Sequence, residues 1–97
     1  MIRIEFHPEA DRELEAAKNW YRERSNLAAR AFATEIADSL AKIAEAPDRW
    51  PATESAERRF LLSKFPFSIL YRVRRNEIFV TAVAHQKRRP GYWQRRK

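Results

Sequence analysis

The residues of this chain that could best take part in a reaction lie near its C-terminal end. The last sixteen residues, Ala82–Lys97, contain His85, Tyr92, Trp93 and six Lys or Arg, but no Asp or Glu. An imidazole titrates near neutral pH, so His85 could be a general acid or base in phosphodiester cleavage, with cations stabilising the charge that develops on the phosphate. A simpler interpretation of His85, as a polar residue that ends a strand, stays open.

The charges of the chain are unevenly distributed. Residues 1–57 carry 8 bases against 12 acids, and residues 58–97 carry 12 bases against one acid, Glu77, so their charges are −4 and +11 within a net charge of +7. This separation indicates a polyanion or an acidic protein as partner of the C-terminal part. A surface that serves only solubility usually mixes both signs.

Several classes of protein are not expected from the composition. The absence of cysteine excludes disulfides and thiolate metal sites, and two histidines far apart in sequence give no metal-ligand spacing. The apolar runs are shorter than the roughly 20 residues of a membrane span, and the first residues lack the apolar core of a signal peptide. We therefore expect a single cytoplasmic domain over residues 1–97, with no metal, cofactor, membrane or small-molecule substrate.

Four stretches alternate between apolar and polar residues, as in the side chains Ile2, Ile4 and Phe6 near the start. A period of two is typical of strands with one face in a core. The predicted strands are 2–6, 58–64, 67–74 and 77–84.

Between the first two strands the apolar residues recur at helical spacing. One amphipathic helix is predicted from Pro8 to about Arg24. Ser25 and Asn26 can cap a second helix, which Pro47 ends. Because this connection is so short, the two helices should form an antiparallel hairpin.

The order β-α-α-β-β-β predicts an α+β fold. A helical hairpin packed on one face of a mainly antiparallel four-stranded sheet would bury the apolar stripes of both layers. A basic C-terminal tail follows the last strand. We expect the other face of the sheet to be open, and Tyr92 or Trp93 to anchor the tail on the sheet, because disordered tails rarely contain such aromatic residues.

A cationic surface is predicted on that open face. The alternation in the third strand puts Arg72 and Arg74 there. The other cations expected to contribute are Arg58, Arg59, Lys64, Lys87, Arg88 and Arg89. Such a surface could bind phosphates, with Tyr92 and Trp93 as rings for base stacking, or the carboxylates of a protein.

The chain also resembles a known family. The stretches "IEFHPEADRELEAAKNWY", "AFATEIADSLAKIAEAPDRWP", "RRFLLSKFPFSILYRV" and "IFVTAVAHQKRRPGYW" are similar, in this order and at this length, to the RelE/ParE superfamily of bacterial type II toxins, in particular its ParE-like or plasmid-stabilisation branch. The resemblance implies the fold order given above. It also implies a cognate antitoxin whose acidic C-terminal segment wraps and neutralises the toxin.

The resemblance leaves more than one activity open. ParE-like toxins inhibit DNA gyrase, whereas RelE-like toxins are endoribonucleases that cut mRNA on the ribosome by attack of the 2′-hydroxyl. Ser68 and Gln86 stand where typical RelE-like enzymes have arginines, although Tyr92 matches the family's tyrosine. A ribonuclease would use His85, Tyr92 and Arg72. We expect a toxin that inhibits gyrase; the alternatives are the endoribonuclease and a non-toxic nucleic-acid-binding module.

Overall fold

Six regular elements form the fold of residues 2–97, the part of the chain that the computed structural model describes. They are β1 (Arg3–Phe6), α1 (Pro8–Arg24), α2 (Asn26–Glu45), β2 (Arg58–Leu61), β3 (Phe67–Arg74) and β4 (Glu77–His85). The predicted order and the α+β class are confirmed. Within residues 2–97, no helix is both long enough and apolar enough to span a bilayer.

The four strands form one sheet in the order β1-β4-β3-β2. The pairs β2–β3 and β3–β4 are antiparallel, and β1 runs parallel to β4. The sheet is therefore mainly antiparallel, as predicted. The central strands β3 and β4 are buried along most of their length, so they form the framework on which the other parts of the chain pack.

The helical hairpin begins and turns at capping residues. The Nδ1 atom of His7 accepts a hydrogen bond from the Glu9 amide at 3.0 Å and caps α1. Ser25 serves both helices, because its amide donates to the Tyr21 carbonyl at 2.8 Å and its Oγ accepts from the Ala28 amide at 3.1 Å. A single residue between two helices leaves room only for an antiparallel arrangement.

The main core lies between this hairpin and one face of the sheet. Its central side chains are Ala10, Leu14 and Ala17 of α1, Phe32, Ile36 and Ile43 of α2, and Ile69, Tyr71, Ile78 and Val80 of the sheet. Complete burial of a side chain as large as Phe32 stabilises the fold by roughly 1.5–3 kcal/mol. The predicted apolar stripes of the two helices are thus the faces that contact the sheet.

Strand β2 is shorter than predicted and ends at Leu61 instead of Lys64. The Glu35 carboxylate of α2 accepts hydrogen bonds from the amides of Ser63 and Lys64, the second at 3.1 Å. The Lys64 amide cannot then continue the ladder to β3. Lys64 therefore lies in a turn beside α2.

The face of the sheet that points away from the helices, here called the far face, is not open. Residues 86–97, here called the C-terminal strap, fold back over it, and Trp93 packs on Leu70, Ala82 and Ala84 with 4% of its surface exposed. The prediction that Tyr92 or Trp93 anchors the tail is confirmed, and the prediction of an open face is wrong. Apolar residues at the centre of the far face need a cover, and Trp93 supplies it.

Protonation of His7 should destabilise the fold. Its pKa is lowered from 6.5, first by burial and then by the positive charges of Arg96 and Arg72. Since the unfolded chain then binds the proton more tightly, the stability present above the unfolded pKa is lost as the pH falls towards the folded pKa.

We expect the urea midpoint to decrease between about pH 7 and pH 5. The decrease should be smaller in His7→Asn, which keeps a capping acceptor that does not titrate. Equal decreases in the two proteins would contradict this account of His7.

Trp93 should contribute far more to stability than an exposed tryptophan. Trp93→Ala should lower the free energy of unfolding by about 3–5 kcal/mol, because it removes a buried aromatic side chain and leaves a cavity. Trp20→Ala is the matched control, since 50% of Trp20 is exposed. Urea denaturation measures both losses, and similar losses would show that the strap is not part of the folded core.

Candidate functional site

Glu13 of α1 is the point where helix, sheet and strap meet. Its carboxylate accepts hydrogen bonds from the Val83 amide at 3.0 Å, the Tyr92 hydroxyl at 2.7 Å and two guanidinium nitrogens of Arg96 at 2.9 Å each. Only 14% of the Glu13 side chain is exposed. Charge-assisted bonds in this bidentate geometry fix both direction and distance, so one acid sets the position of the strap.

The position of Glu13 and its partners follows from the length of β1. Pairing of β1 with β4 ends at Val80, whose carbonyl accepts from the His7 amide at 2.9 Å. Beyond that point no strand formed by residues 2–97 lies beside the edge of β4. Glu13 accepts from the Val83 amide, and Arg96 donates to the Thr81 carbonyl at 3.1 Å. Two charged side chains therefore satisfy main-chain groups whose burial without partners would be costly.

A second ion pair anchors the other side of the strap. The Nε atom of Arg72 lies 3.1 Å from the Glu57 carboxylate, of which only 3% is exposed. Another nitrogen of Arg72 donates to the main-chain carbonyl of Arg96. Arg72 thus joins residues 53–57 to the strap, and its charge is balanced by a buried acid.

The candidate catalytic groups each have a different partner. The ring of His85 lies against Phe67 with centroids 5.1 Å apart, and its Nδ1 accepts from the Lys87 amide at 3.1 Å. The Tyr92 hydroxyl donates to Glu13. Burial, and then the Glu13 carboxylate, raise the pKa of Tyr92 well above its ordinary value. Among residues 2–97 no hydrogen bond links His85, Tyr92 and Arg72 to one another.

Two of the predicted cations do not lie on the far face. Arg58 is opposite Tyr71 in the ladder, so both side chains point towards the helices, and Arg58 donates to the carbonyls of Trp50 and Asp48 at 2.8 and 3.2 Å. The prediction that Arg58 lies on the open face is therefore wrong. Lys64, in its turn beside Glu35, also lies away from that face.

The other predicted cations are at or near the far face. Arg59 is exposed opposite Leu70, and the guanidinium of Arg74 stacks on Phe79 at 3.8 Å. Arg88 stacks on Tyr92 at 3.8 Å. Lys87 and Arg89 are exposed beside it, as are Arg95 and Lys97. The exposed positive charge is thus concentrated on the strap.

The predicted site residues do not include Glu13, Glu57 or Arg96. Glu13 directly precedes the buried Leu14 and follows the buried Ala10 by three residues, which places it beside the apolar stripe of α1. An acidic residue beside an apolar helix stripe was the feature of the sequence that could have identified Glu13. Its partner Arg96 is 83 positions away in the chain, a separation that no local pattern reports.

Removal of the Glu13 carboxylate should release the strap. We expect Glu13→Ala to lower the free energy of unfolding by about 3–5 kcal/mol, because Arg96 is left buried without an acid. Amide hydrogen exchange at Val83 and in the strap should increase. Glu15→Ala, on the same helix, removes an exposed pair with Lys18 and should cost at most about 1 kcal/mol. Unchanged exchange in Glu13→Ala would show that Trp93 alone holds the strap.

Comparison with known proteins agrees with this architecture. The family described as the ParE toxin of type II toxin-antitoxin system, parDE, matches residues 4–90. A solved structure, of the chromosomal ParDE TA system from P. aeruginosa, is 19% identical and has a TM-score of 0.74, with 88% of this chain and 96% of that chain covered. No curated protein matches the chain. Because the family match spans most of its length, this chain belongs to the ParE family of type II toxin–antitoxin toxins.

Proposed function

We propose that this toxin arrests growth by inhibiting DNA gyrase through the cations of its C-terminal strap, and that a cognate antitoxin neutralises it. One observation carries the proposal. Two of the groups that a ribonuclease would use, Tyr92 and Arg72, already have structural partners, whereas the strap presents exposed cations on a fixed backbone.

The arrangement of Tyr92, Arg72 and His85 favours protein binding over catalysis. A general base has to reach the proton that it removes, and cations have to surround the charge that develops on the phosphate. The Tyr92 hydroxyl is bound to Glu13, and Arg72 is paired with Glu57. His85 remains available as a base. However, Ser68 and Gln86 stand at the positions where typical RelE-like enzymes have arginines, so those two cations are missing.

The strap has the properties of a protein-binding surface. Its exposed cations are Lys87, Arg88, Arg89, Arg95 and Lys97. Trp93 and Glu13 fix the backbone that carries them, so little backbone entropy remains to be lost on binding. A positive field of this kind attracts an acidic surface and accelerates association.

A groove beside α1 supports neutralisation by an acidic, amphipathic antitoxin segment. The groove has a volume of about 410 Å³, and its lining includes Trp20, Tyr21 and Phe67, with Arg88 and His85 also at its surface. An apolar helix face could bury the half-exposed Trp20, while acids beside that face could pair with Arg88. Because Arg88 belongs to both the groove and the strap, an antitoxin in the groove would also cover one of the proposed target-binding cations.

The proposal predicts that the purified toxin inhibits supercoiling by gyrase. A triple variant, Lys87→Glu, Arg88→Glu and Arg89→Glu, should inhibit at least about tenfold less, because three attractive charges become repulsive. The control triple variant, Arg22→Glu, Arg30→Glu and Lys42→Glu, has the same change in net charge on exposed helical positions and should inhibit like the wild type. Unimpaired supercoiling at a stoichiometric excess of wild-type toxin would contradict the proposal.

The alternatives give different results in growing cells. After induction without antitoxin, a gyrase inhibitor should first reduce thymidine incorporation. An mRNA endoribonuclease should first reduce amino-acid incorporation, and His85→Ala should then relieve the arrest. A non-toxic nucleic-acid-binding module should change neither.

A further inference from the structure

A cleft of about 840 Å³ lies at the far face between two segments without regular secondary structure. Its lining includes Trp50, Pro51, Arg59, Leu61, Pro90 and Trp93. A narrower groove of about 260 Å³ shares four of these residues and continues to Gln86 and Arg88. Together they form an elongated depression between the edge of β2 and the strap, a shape that suits an extended chain.

Both walls of the cleft are held in place by the rest of the fold. On one side, Arg58 donates to the Trp50 carbonyl at 2.8 Å, and the Thr53 hydroxyl donates to the Glu57 carbonyl at 2.9 Å. On the other side, Trp93 is buried and Arg96 is bound to Glu13. A ligand would therefore enter a preformed site and would not have to order its walls.

Some hydrogen-bonding groups of the cleft walls have no partner among residues 2–97. The indole N–H groups of Trp50 and Trp93 are buried without a partner among residues 2–97. The Arg59 amide points away from β3, since it donates to the Pro51 carbonyl at 2.9 Å. Residues 51–53 therefore bridge this edge of β2 at Arg58 and Arg59. Alternation directs the main chain of Leu61 to the same side, beyond that bridge, where no strand lies beside it among residues 2–97. The Leu61 side chain is 60% exposed.

The charge and polarity of the lining indicate an acidic peptide instead of a nucleic acid. Arg59 and Arg88 are exposed in the depression, and Glu54 is the one acid in its lining. Nucleic-acid grooves combine many phosphate contacts with exposed rings for base stacking. Here the Trp93 ring is 4% exposed, and the open positions are apolar residues such as Leu61 and Pro90.

We propose that this cleft binds an extended segment of the target protein that adds to the edge of β2 at Leu61 and places a carboxylate on Arg59. The inference rests on the proposed function, in which the target is a protein. The main chain of the segment would bond to Leu61, as in other cases of strand addition. Its apolar side chains would pack on Leu61 and Pro90.

Cross-linking at position 61 tests the cleft directly. Leu61 is replaced by the photoreactive benzoylphenylalanine, the toxin is irradiated with purified gyrase, and the linked peptide is sequenced. We expect one major site, in a gyrase peptide that contains Asp or Glu. Leu27, 77% exposed at the start of α2, receives the same group as control and should give at least tenfold less product.

A charge reversal provides the second measurement. Arg59→Glu should reduce both the cross-link at position 61 and the inhibition of gyrase at least tenfold. Arg75→Glu makes the same change at the exposed turn between β3 and β4 and should alter neither. Both arginines are exposed, so circular dichroism should report an intact fold for both variants.

The outcomes separate the two proposals. If wild-type toxin inhibits gyrase while position 61 gives no cross-link and Arg59→Glu inhibits normally, the cleft proposal is wrong and the proposed function stands. If wild-type toxin does not inhibit gyrase, the proposed function is wrong, and the proposal of a gyrase segment in the cleft is wrong with it. Cross-linking of position 61 to mRNA on ribosomes would show that the ligand of the cleft is a nucleic acid, and the proposed peptide ligand would then be wrong.

Discussion

The ion pair between Glu13 and Arg96 is the contact on which the far side of the molecule depends. Strand β1 is too short to cover the edge of β4, and these two side chains complete the hydrogen bonding that a longer strand would have provided. The same pair positions Tyr92 through Glu13 and Arg72 through the carbonyl of Arg96. Removal of one member would leave a charge and main-chain groups buried without partners.

The chain thereby forms an apolar core on each face of its sheet. The larger lies beneath the helices, and the smaller consists of Trp93 on Leu70, Ala82 and Ala84. The strap that covers the smaller core also carries five exposed cations and no acid. In so short a chain the scaffold and the proposed target-binding surface are the same residues, so a change that loosens the strap should affect stability and binding together.

The elements of the fold could be predicted because each is recorded in a local pattern. Period-two and helical spacings located the strands and helices, and Ser25 marked the turn between the helices. The side of the sheet on which Arg58 lies depends on its pairing with Tyr71, which the pattern within one strand does not fix. Leu70 is an apolar residue between Ser68 and Arg72 on one face of β3, and this could be seen in the sequence. The residue that covers it, Trp93, is 23 positions further along the chain, so no local pattern connects the two.

The contacts between the two ends of the chain affect how it can fold during synthesis. Strand β1 pairs with β4, and α1 is bound to Arg96, so the earlier residues await partners that are made much later. Contacts between such distant residues form late, because closing a long loop costs entropy before any bond is gained. A nascent chain should therefore remain without its strap in place until Trp93 and Arg96 have emerged from the ribosome, so that the apolar centre of the far face stays uncovered while the helices and the first strands already exist.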